Sequence, residues 1–220
     1  MRAVIFANGR VENHTQVISQ LRPNDVLIAA DGGAEHCKDI GIQPHIVVGD
    51  MDSISPLLKE ELESAGTTFV TFPEDKNQTD LELALSLAAE KGYREVLLLG
   101  MFGGRLDQSL ANILLLTRDE WQDLRLIISA EPDTAYLMRD QDEISLLGQP
   151  GDIVSLIPLS SLVEDVSTQG LRWSLDHADL NLGNTLSVSN EMLDTAAHVQ
   201  VGAGILLLIH RDATVLDEEE

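Results

Sequence analysis

The chain carries the stretch IVVGDMDS at residues 46–53, in which two aspartates directly follow an apolar run. The apolar run predicts a short buried strand. Asp50 and Asp52 are two residues apart, so their side chains point to the same side of an extended or tightly turned backbone. Such a pair suits one hard divalent cation, which prefers oxygen ligands. The alternative interpretation is an ordinary solvated turn, because Asp, Gly and Ser are common turn residues.

Strand-like and helix-like stretches alternate through the first half of the chain. Short apolar runs predict strands at residues 3–7, 26–30, 46–48, 68–72, 96–99 and 125–129. Helical patterns lie between them, at about 12–21, 34–40, 56–65, 79–91 and 106–118. Strand–helix alternation predicts a Rossmann-like α/β domain with a parallel sheet and right-handed crossovers.

The clearest helix start is at Thr79, which precedes Asp80, Leu81 and Glu82. This pattern predicts a capping box, with Thr79 as the N-cap and the Glu82 side chain reaching back to it. Gly92 suits the C′ position that ends such a helix.

The second half of the chain has a different pattern. Strand-like stretches occur without a convincing helix, at residues 144–147, 153–158, 170–175, 185–189 and 198–210. Short strands separated by turns predict a small β-sandwich or a barrel. The predicted boundary lies near residue 140, which gives an α/β domain at 1–140 and an all-β domain at 141–220.

Composition argues against several classes of partner. The formal net charge is -23, from 37 acidic and 14 basic residues, so binding of nucleic acid or of an anionic membrane surface is not expected. The single cysteine, Cys37, rules out an intramolecular disulfide and indicates a reducing compartment. The N-terminus turns polar too quickly for a signal peptide, and we predict a cytoplasmic protein. The acidic tail at 217–220 is interpreted as a solubility feature.

Polar residues gather where the predicted parallel strands end, which is the edge at which such sheets bind ligands. Glycines there let backbone N–H groups approach a phosphate, and an arginine fork suits phosphate oxygens. Each residue also has a plain structural interpretation as a turn, a helix cap or a surface lysine. Together they predict a metal-assisted phosphate site, formed by the segments at 31–33, 50–52, 73–80 and 100–108. Neither a Walker A motif nor a dinucleotide fingerprint after the first strand is present.

Six motifs in this order resemble those of the thiamine pyrophosphokinases. They are ADGGA at 30–34, GDMDS at 49–53, KNQTD at 76–80, GGRLD at 103–107, GLRW at 170–173 and SVSN at 187–190. The resemblance covers nearly the whole chain. It implies an α/β domain followed by a β-sandwich, in a homodimer whose active site lies near the subunit interface. It also implies transfer of the pyrophosphoryl group of ATP to the hydroxyethyl oxygen of thiamine, with release of AMP.

The resemblance also assigns residues to roles. It implies that Mg²⁺ is held by the catalytic aspartates Asp50, Asp52 and Asp80. The nucleotide would be bound by Asp31, Gly32, Gly33, Lys76, Gly104, Arg105 and Asp107. Thiamine would contact Gln108, Trp173, Ser187, Ser189 and Asn190, with Trp173 stacking on a ring. A structural interpretation of Trp173, as part of the sandwich core, stays open at this point.

One position departs from the family pattern. The family commonly has Asp after the motif lysine, whereas this chain has Asn77, which keeps an oxygen ligand but loses a charge. Two alternative functions also stay open. One is a related pyrophosphokinase acting on a hydroxymethylpterin, and the other is a non-catalytic sensor that binds a nucleotide or thiamine.

Overall fold

The structure is a computed structural model that describes residues 1–213. The acidic tail at 217–220 lies outside the described residues. The chain divides into two compact units, Met1–Ala130 and a second unit that begins at Glu131.

The first unit is a parallel sheet with connecting helices. Its strands are β1 (Arg2–Phe6), β2 (Val26–Ala30), β3 (Ile46–Gly49), β4 (Thr68–Thr71), β5 (Glu95–Leu99) and β6 (Arg125–Ala130). Its helices are α1 (His14–Gln20), α2 (Gly33–Asp39), α3 (Pro56–Ser64), α4 (Asp80–Glu90) and α5 (Leu106–Leu115), and a 3₁₀ turn spans Asp119–Trp121. Every neighbouring pair of these strands is parallel. The predicted parallel sheet is therefore confirmed.

Alternating side chains of the central strands pack against the helices. Val4 and Phe6 of β1 belong to a buried cluster that includes residues of α1, α2 and α3, while α4 contacts β1, β2 and β3. All five residues of β1 are buried, as the continuous apolar run predicted. Full burial of one large apolar side chain stabilises the fold by about 1.5–3 kcal/mol, so this strand is a main source of stability.

The strand order creates a crevice in the first unit. The order is β4-β3-β2-β1-β5-β6, so the chain moves outward from β1 to β4 and then returns to the other side of β1 with β5. The connections that leave β1 and β5 therefore run in opposite directions. Such a reversal opens a crevice outside the carboxyl ends of the strands.

Thr79 is the N-cap of α4, as predicted. Its Oγ1 accepts a hydrogen bond of 3.2 Å from the Glu82 amide, and Gly92 follows the helix with φ +77°, as the C′ prediction requires. The predicted return bond from the Glu82 side chain to Thr79 is wrong, because the Glu82 carboxylate pairs with Arg118 at 2.6 Å instead.

The second unit contains two antiparallel sets of strands. Its strands are β7 (Asp133–Met138), β8 (Glu143–Leu147), β9 (Ile153–Pro158), β10 (Leu162–Gln169), β11 (Ala178–Asn181), β12 (Asn190–Glu191), β13 (Ala196–Gln200) and β14 (Leu206–Arg211). One set has the order β12-β9-β14-β7 and the other β11-β10-β13-β8. Both sets contribute side chains to one hydrophobic cluster, for example Leu156 and Leu208 from the first and Val166 and Val199 from the second.

Two predicted strands of this unit are wrong. The stretch at 170–175 forms only an isolated bridge, from Leu171 to Met192. Most of the stretch at 185–189 is turn, and Ser189 has φ +60°. Sequence patterns also missed β7, β10, β11 and β12, and the single stretch predicted at 198–210 is divided between β13 and β14. In β10 the register shifts between Val163 and Val166, and this irregularity breaks the two-residue alternation by which strands are detected.

Across residues 1–213, every helix is too short or too polar to cross a membrane.

Candidate active site

A cavity of about 520 Å³ lies in the first unit, beyond the carboxyl ends of β1, β2, β3 and β5. The first residues of α4 also line it, as do Gln108, Ser109 and Asn112 of α5. This volume is within the range of small-molecule sites, and the position is the crevice that the strand order creates.

The loops after β1 and β5 are joined closely at this crevice. The Gly9 amide donates to the Gly100 carbonyl at 2.7 Å, and the Arg10 amide donates to the Phe102 carbonyl at 2.6 Å. A Cβ atom at Gly9 would lie 2.3 Å from the Gly100 carbonyl oxygen. Glycine is therefore required here for the two loops to meet.

Three aspartates from two neighbouring strand ends form an acidic cluster. Asp31 follows β2, while Asp50 and Asp52 follow β3, and one carboxylate oxygen from each lies within 4.8 Å of the others. The residue between the latter two, Met51, has φ +68°, and the Asp52 amide donates to Asp50 Oδ1 at 3.3 Å. The turn thus brings Asp50 and Asp52 together, as their spacing predicted, and parallel pairing adds Asp31.

Asp31 is the buried member of this acidic cluster. It is 3% exposed, and its Oδ1 atom is buried and has no hydrogen-bond partner among residues 1–213. A buried carboxylate oxygen without a partner is costly in free energy. A cation in the cavity would remove that cost.

Gly49 allows Asp31 and Asp80 to approach the end of β3. A Cβ atom at this position would lie 2.9 Å from the Asp31 Cβ and 2.9 Å from Asp80 Oδ1. The absence of a side chain at Gly49 therefore keeps the Asp80 carboxylate beside the acidic cluster.

Lys76 is bound between two carboxylates at the same site. Its ammonium contacts Asp50 Oδ2 and lies 3.1 Å from Asp80 Oδ1. The lysine side chain is only 12% exposed, so it is not the solvated surface lysine of the structural interpretation.

The electrostatics of the site follow from burial and from this lysine. Burial raises the pKa of Asp31, and the charge of Asp52 acts in the same direction. Burial also raises the pKa of Asp80, whereas the hydrogen bond from Lys76 lowers the pKa of Asp50. Burial alone would lower the pKa of Lys76, but its bonds to Asp50 and Asp80 outweigh burial and raise it.

The predicted nucleotide-binding residues occupy different places. Asp31, Lys76, Gly104 and Arg105 line the cavity. The cavity wall does not include Gly32, Gly33 or Asp107. A Cβ atom at Gly32 would lie 2.5 Å from the Asn8 side chain, and one at Gly33 would lie 1.9 Å from the Phe6 carbonyl oxygen. These two glycines therefore permit close packing of α2 against β1.

Arg105 and Asp107 form a surface ion pair at the start of α5. Arg105 Nε lies 3.1 Å from Asp107 Oδ1, and the two side chains are 70% and 65% exposed. Gln108, predicted to contact thiamine, lines the cavity one residue beyond Asp107. An exposed pair of this kind contributes little to stability, so little is lost when Arg105 also contacts an anion.

Trp173 lies on the surface of the second unit. It is 55% exposed, so the interpretation of Trp173 as core is wrong. The Arg172 guanidinium lies 4.9 Å from the centre of its ring and pairs with Glu191 at 2.7 Å. One face of the indole is thus covered by a cation.

Asn190 holds the backbone of Trp173 in place. Its Oδ1 accepts from the Trp173 amide at 3.1 Å, and its Nδ2 donates to the Trp173 carbonyl at 2.7 Å. Ser187 is buried, and its hydroxyl donates to the Leu156 carbonyl at 2.8 Å. Ser189 is exposed, and its amide donates to Ser155 Oγ at 3.0 Å. The side chains of Ser187 and Asn190 therefore have structural partners in addition to any ligand role.

Two family profiles match this chain. One is described as "Thiamin pyrophosphokinase, catalytic domain" and matches residues 18–128. The other is "Thiamin pyrophosphokinase, vitamin B1 binding domain" and matches residues 141–206. The chain belongs to the thiamin pyrophosphokinase family.

Individual relatives of the family are similar over most of their length. Thiamine pyrophosphokinase of Bacillus subtilis is 29% identical over 182 residues, which is 83% of this chain and 85% of that protein. Thiamine pyrophosphokinase 1 of rice is 29% identical over 215 residues, 86% of this chain and 79% of that protein. The crystal structure of the Bacillus subtilis enzyme superposes with a TM-score of 0.85 at 27% identity, over 97% of this chain and 100% of that one.

The departure from the family pattern at Asn77 has no effect on the cavity wall. Asn77 is exposed, and the wall includes its neighbours Lys76 and Gln78 but not Asn77 itself. Compared with the family pattern, the negative charge is therefore absent from the protein surface and not from the cavity wall.

Sequence patterns missed several residues of the cavity wall, namely Asn8, Ser109 and Asn112. Asn112 lies in α5, and its Nδ2 donates to the Met101 carbonyl at 2.8 Å. Asn8 was detectable in principle, because it directly follows β1 and ligand sites gather where strand order reverses. The sequence does not reveal where that reversal occurs.

The buried carboxylate of Asp31 should lower the stability of the metal-free protein at neutral pH. Its folded-state pKa is raised above the ordinary value of 3.8. Its stabilising contribution is therefore complete below the unfolded-state pKa and is lost as the pH rises through the folded-state pKa. We expect Asp31→Asn to raise the melting temperature at about pH 7.5, and the gain to shrink toward about pH 4. Thermal unfolding followed by circular dichroism in a chelator measures this.

Asp176→Asn is the matched control, because it removes the same charge from a side chain that is 97% exposed. Any gain from lowering the overall negative charge would appear in both variants. Equal gains, or a loss of stability in Asp31→Asn at neutral pH, would contradict the role given to burial.

Proposed function

We propose that this protein is a thiamine diphosphokinase that transfers the pyrophosphoryl group of ATP to the hydroxyethyl oxygen of thiamine, giving thiamine diphosphate and AMP. The acidic cluster of Asp31, Asp50 and Asp52 carries the proposal, since it lies in a cavity of the unit that the family's catalytic profile matches. A site for a charged phosphate donor with its cation is what this chemistry requires.

The charges of the cavity wall call for a divalent cation, and we propose Mg²⁺. The wall carries five carboxylates, those of Asp31, Asp50, Asp52, Glu74 and Asp80. Its cationic side chains, among the described residues, are Lys76 and Arg105. A polyphosphate would be repelled by this balance. Carboxylate oxygens are the ligands that Mg²⁺ prefers, and the partnerless Asp31 Oδ1 fits that role. When bound, the ion would neutralise phosphate charge and orient the group to be transferred.

The protein's own groups would position the nucleotide. Arg105 offers an exposed guanidinium fork, and Gly104 beside it has φ +83° with open space around it, so a phosphate oxygen is free to approach the backbone. Asp107 would hold the Arg105 fork in place through their ion pair. Gly32 and Gly33 would act by fixing α2 against β1 and thereby Asp31.

The predicted metal ligands Asp50 and Asp52 are retained in this proposal. Asp80 was also predicted as a ligand, but the three-carboxylate group contains Asp31 in its place. In-line attack by the thiamine hydroxyl needs a fixed phosphate, and fixed carboxylates and cations provide positioning rather than covalent chemistry.

We propose that the second unit binds thiamine through Trp173. Gln108, which the resemblance assigns to thiamine, lines the cavity of the first unit. Thiamine carries a fixed positive charge, which suits an indole face and an acidic protein. Because Arg172 covers one face of Trp173, we assign the thiamine ring to the opposite face. Asn190 would set the position of the indole, and Ser187 and Ser189 would shape the adjoining turn.

We further propose that the first unit has a Rossmann-like α/β fold and that the second unit is a β-sandwich. The sandwich is supported by the single hydrophobic cluster that the two antiparallel sets of strands share. The predicted boundary near residue 140 falls between the two family matches, which end at 128 and begin at 141.

The alternative functions are not favoured. Both family profiles describe thiamin pyrophosphokinase, which leaves the hydroxymethylpterin enzyme without support. A sensor would not need three converging carboxylates.

We also retain the cytoplasmic location as a proposal.

Cys37 is buried in α2, and burial raises the pKa of its thiol to about 12. The thiol is therefore protonated at neutral pH and is not a nucleophile.

The decisive assay incubates the purified protein with ATP, Mg²⁺ and thiamine and separates the products by chromatography. We expect AMP and thiamine diphosphate in equal amounts. Asp52→Asn should lower kcat about 100-fold or more, because it weakens the site that neutralises phosphate charge. Asp123→Asn, at a 73% exposed side chain, is the control and should leave kcat unchanged.

Other products would contradict the proposal. ADP with thiamine monophosphate would mean that a single phosphoryl group is transferred. ATP binding without turnover by folded protein would support the sensor instead.

Trp173→Ala should weaken thiamine binding without destabilising the fold. We expect the thiamine Kd to rise roughly tenfold, equivalent to about 1.4 kcal/mol, while the melting temperature changes little because the side chain is exposed. Trp173→Phe keeps an aromatic face and should retain part of the affinity. A large loss of stability with unchanged thiamine binding would instead show a structural role.

We propose that the protein is a homodimer and that α5 contributes to the interface. Leu106, Leu110 and Leu114 form a stripe at four-residue spacing on this helix, and they are 74%, 53% and 59% exposed. Adjacent exposed leucines of this kind typically mark an interaction surface. Other residues of α5 line the cavity, so a second copy docked here would lie near the active site, as the resemblance implies.

Leu110→Glu should shift the protein from dimer to monomer in light scattering, because a charge buried at the interface is costly. Leu57→Glu changes a leucine of α3 that is 79% exposed and should leave the dimer intact. A monomeric wild-type protein, or a dimer unaffected by Leu110→Glu, would rule out this interface.

A further inference from the structure

We propose that Arg10 is a second arginine of the nucleotide site, and that its guanidinium binds the polyphosphate of ATP alongside Arg105. This inference rests on the proposed function, because it concerns the phosphate donor of the same cavity. It adds a residue that lies outside the sequence motifs and just beside the cavity wall.

The loop that carries Arg10 is fixed at the carboxyl edge of the sheet, directly after β1. Two contacts hold it there. The Arg10 amide donates to the Phe102 carbonyl at 2.6 Å, and Nε2 of His36 in α2 donates to the Gly9 carbonyl at 2.6 Å. Because Gly9 itself lines the cavity, the backbone of Arg10 is held next to the site.

The side-chain stem of Arg10 packs against a glycine of the cavity wall. A Cβ atom at Gly103 would lie 2.4 Å from Arg10 Cγ and 2.9 Å from Arg10 Cδ. Gly103 lines the cavity together with Gly104 and Arg105. The missing side chain at Gly103 therefore lets the stem lie directly on the segment that carries Arg105.

The guanidinium of Arg10 is available for a ligand. The side chain is exposed, and it has no ion pair or side-chain hydrogen bond among residues 1–213. Seven arginines of the same residues do form ion pairs, namely Arg2, Arg22, Arg94, Arg105, Arg118, Arg172 and Arg211. This is the common state in a chain with 37 acidic and 14 basic residues. Arg10 therefore gives up no existing pair when it binds an anion.

The charge of the cavity explains why a further cation is needed. The wall carries five carboxylates and, among the described residues, two cationic side chains. Both cations are already engaged, since Lys76 contacts two aspartates and Arg105 pairs with Asp107. A polyphosphate adds several more negative charges. An arginine fork matches two phosphate oxygens at once, and Arg10 would supply it without removing a cation from the acidic cluster.

The test measures the binding of two probes by isothermal titration calorimetry in the presence of Mg²⁺. One is α,β-methylene-ATP, which resists cleavage between the α and β phosphorus atoms, and the other is inorganic tripolyphosphate, which has no nucleoside. We expect Arg10→Met to raise the Kd of both probes about tenfold, because it removes the fork and keeps the stem. Arg10→Lys keeps the charge without the fork and should raise both constants less, about threefold.

Arg125→Met is the matched control. Arg125 is exposed and likewise has no ion pair among the described residues, but it begins β6 and therefore lies at the opposite edge of the parallel sheet. Its replacement removes the same charge and should leave both dissociation constants unchanged. Equal weakening by Arg10→Met and Arg125→Met would show a general effect of net charge and would overturn the inference.

Steady-state kinetics provide a readout that a structural role would not produce. Arg10→Met should raise the KM for ATP about tenfold and leave the KM for thiamine unchanged. A parallel rise in both constants, or no change in either, would contradict a contact with the nucleotide.

The outcomes separate this inference from the proposed function. Unchanged binding of both probes by Arg10→Met would overturn the role of Arg10, although thiamine diphosphate would still be produced. Weaker binding of the ATP analogue with unchanged binding of tripolyphosphate would place Arg10 at the nucleoside and overturn the phosphate assignment. A folded wild-type protein that forms no thiamine diphosphate would overturn the proposed function, while the two binding constants would still decide the role of Arg10.

Discussion

The pairing of β1 with β2 on one side and with β5 on the other is the constraint on which the site depends. Because all six strands of the first unit run parallel, their carboxyl ends meet at one edge. The reversal of strand order at β1 opens that edge into a crevice. Asp31 and the pair Asp50 and Asp52 come together there because β2 and β3 are neighbours.

The fold concentrates negative charge where it costs stability. Asp31 and Asp80 are held in positions whose burial disfavours the ionised form, and Lys76 offsets only part of that repulsion. Such sites are stable when a ligand supplies the missing charge. The same cost prepares the cavity for a cation and a polyphosphate, because the carboxylates do not need to move to meet them.

The second unit uses hydrogen bonds rather than charge to build its candidate surface. The buried amide of Asn190 bonds both the amide and the carbonyl of Trp173, so an exposed indole keeps a defined position. Arg172 leaves one face of the ring available. An aromatic side chain that is fixed before binding loses little conformational entropy when a ring stacks on it.

The sequence by itself determined the alternation of strands and helices, the N-cap at Thr79 and the closeness of Asp50 and Asp52, because each depends on local periodicity or spacing. Only the tertiary structure decided that Asp31 joins those two aspartates, that Lys76 lies between Asp50 and Asp80, and that Trp173 is exposed. These contacts depend on strand order and register, which bring together residues distant along the chain. Local patterns also failed for β10, where a register shift breaks the alternation. Likewise, the sequence alone does not show that Gly32 and Gly33 allow α2 to pack closely against β1.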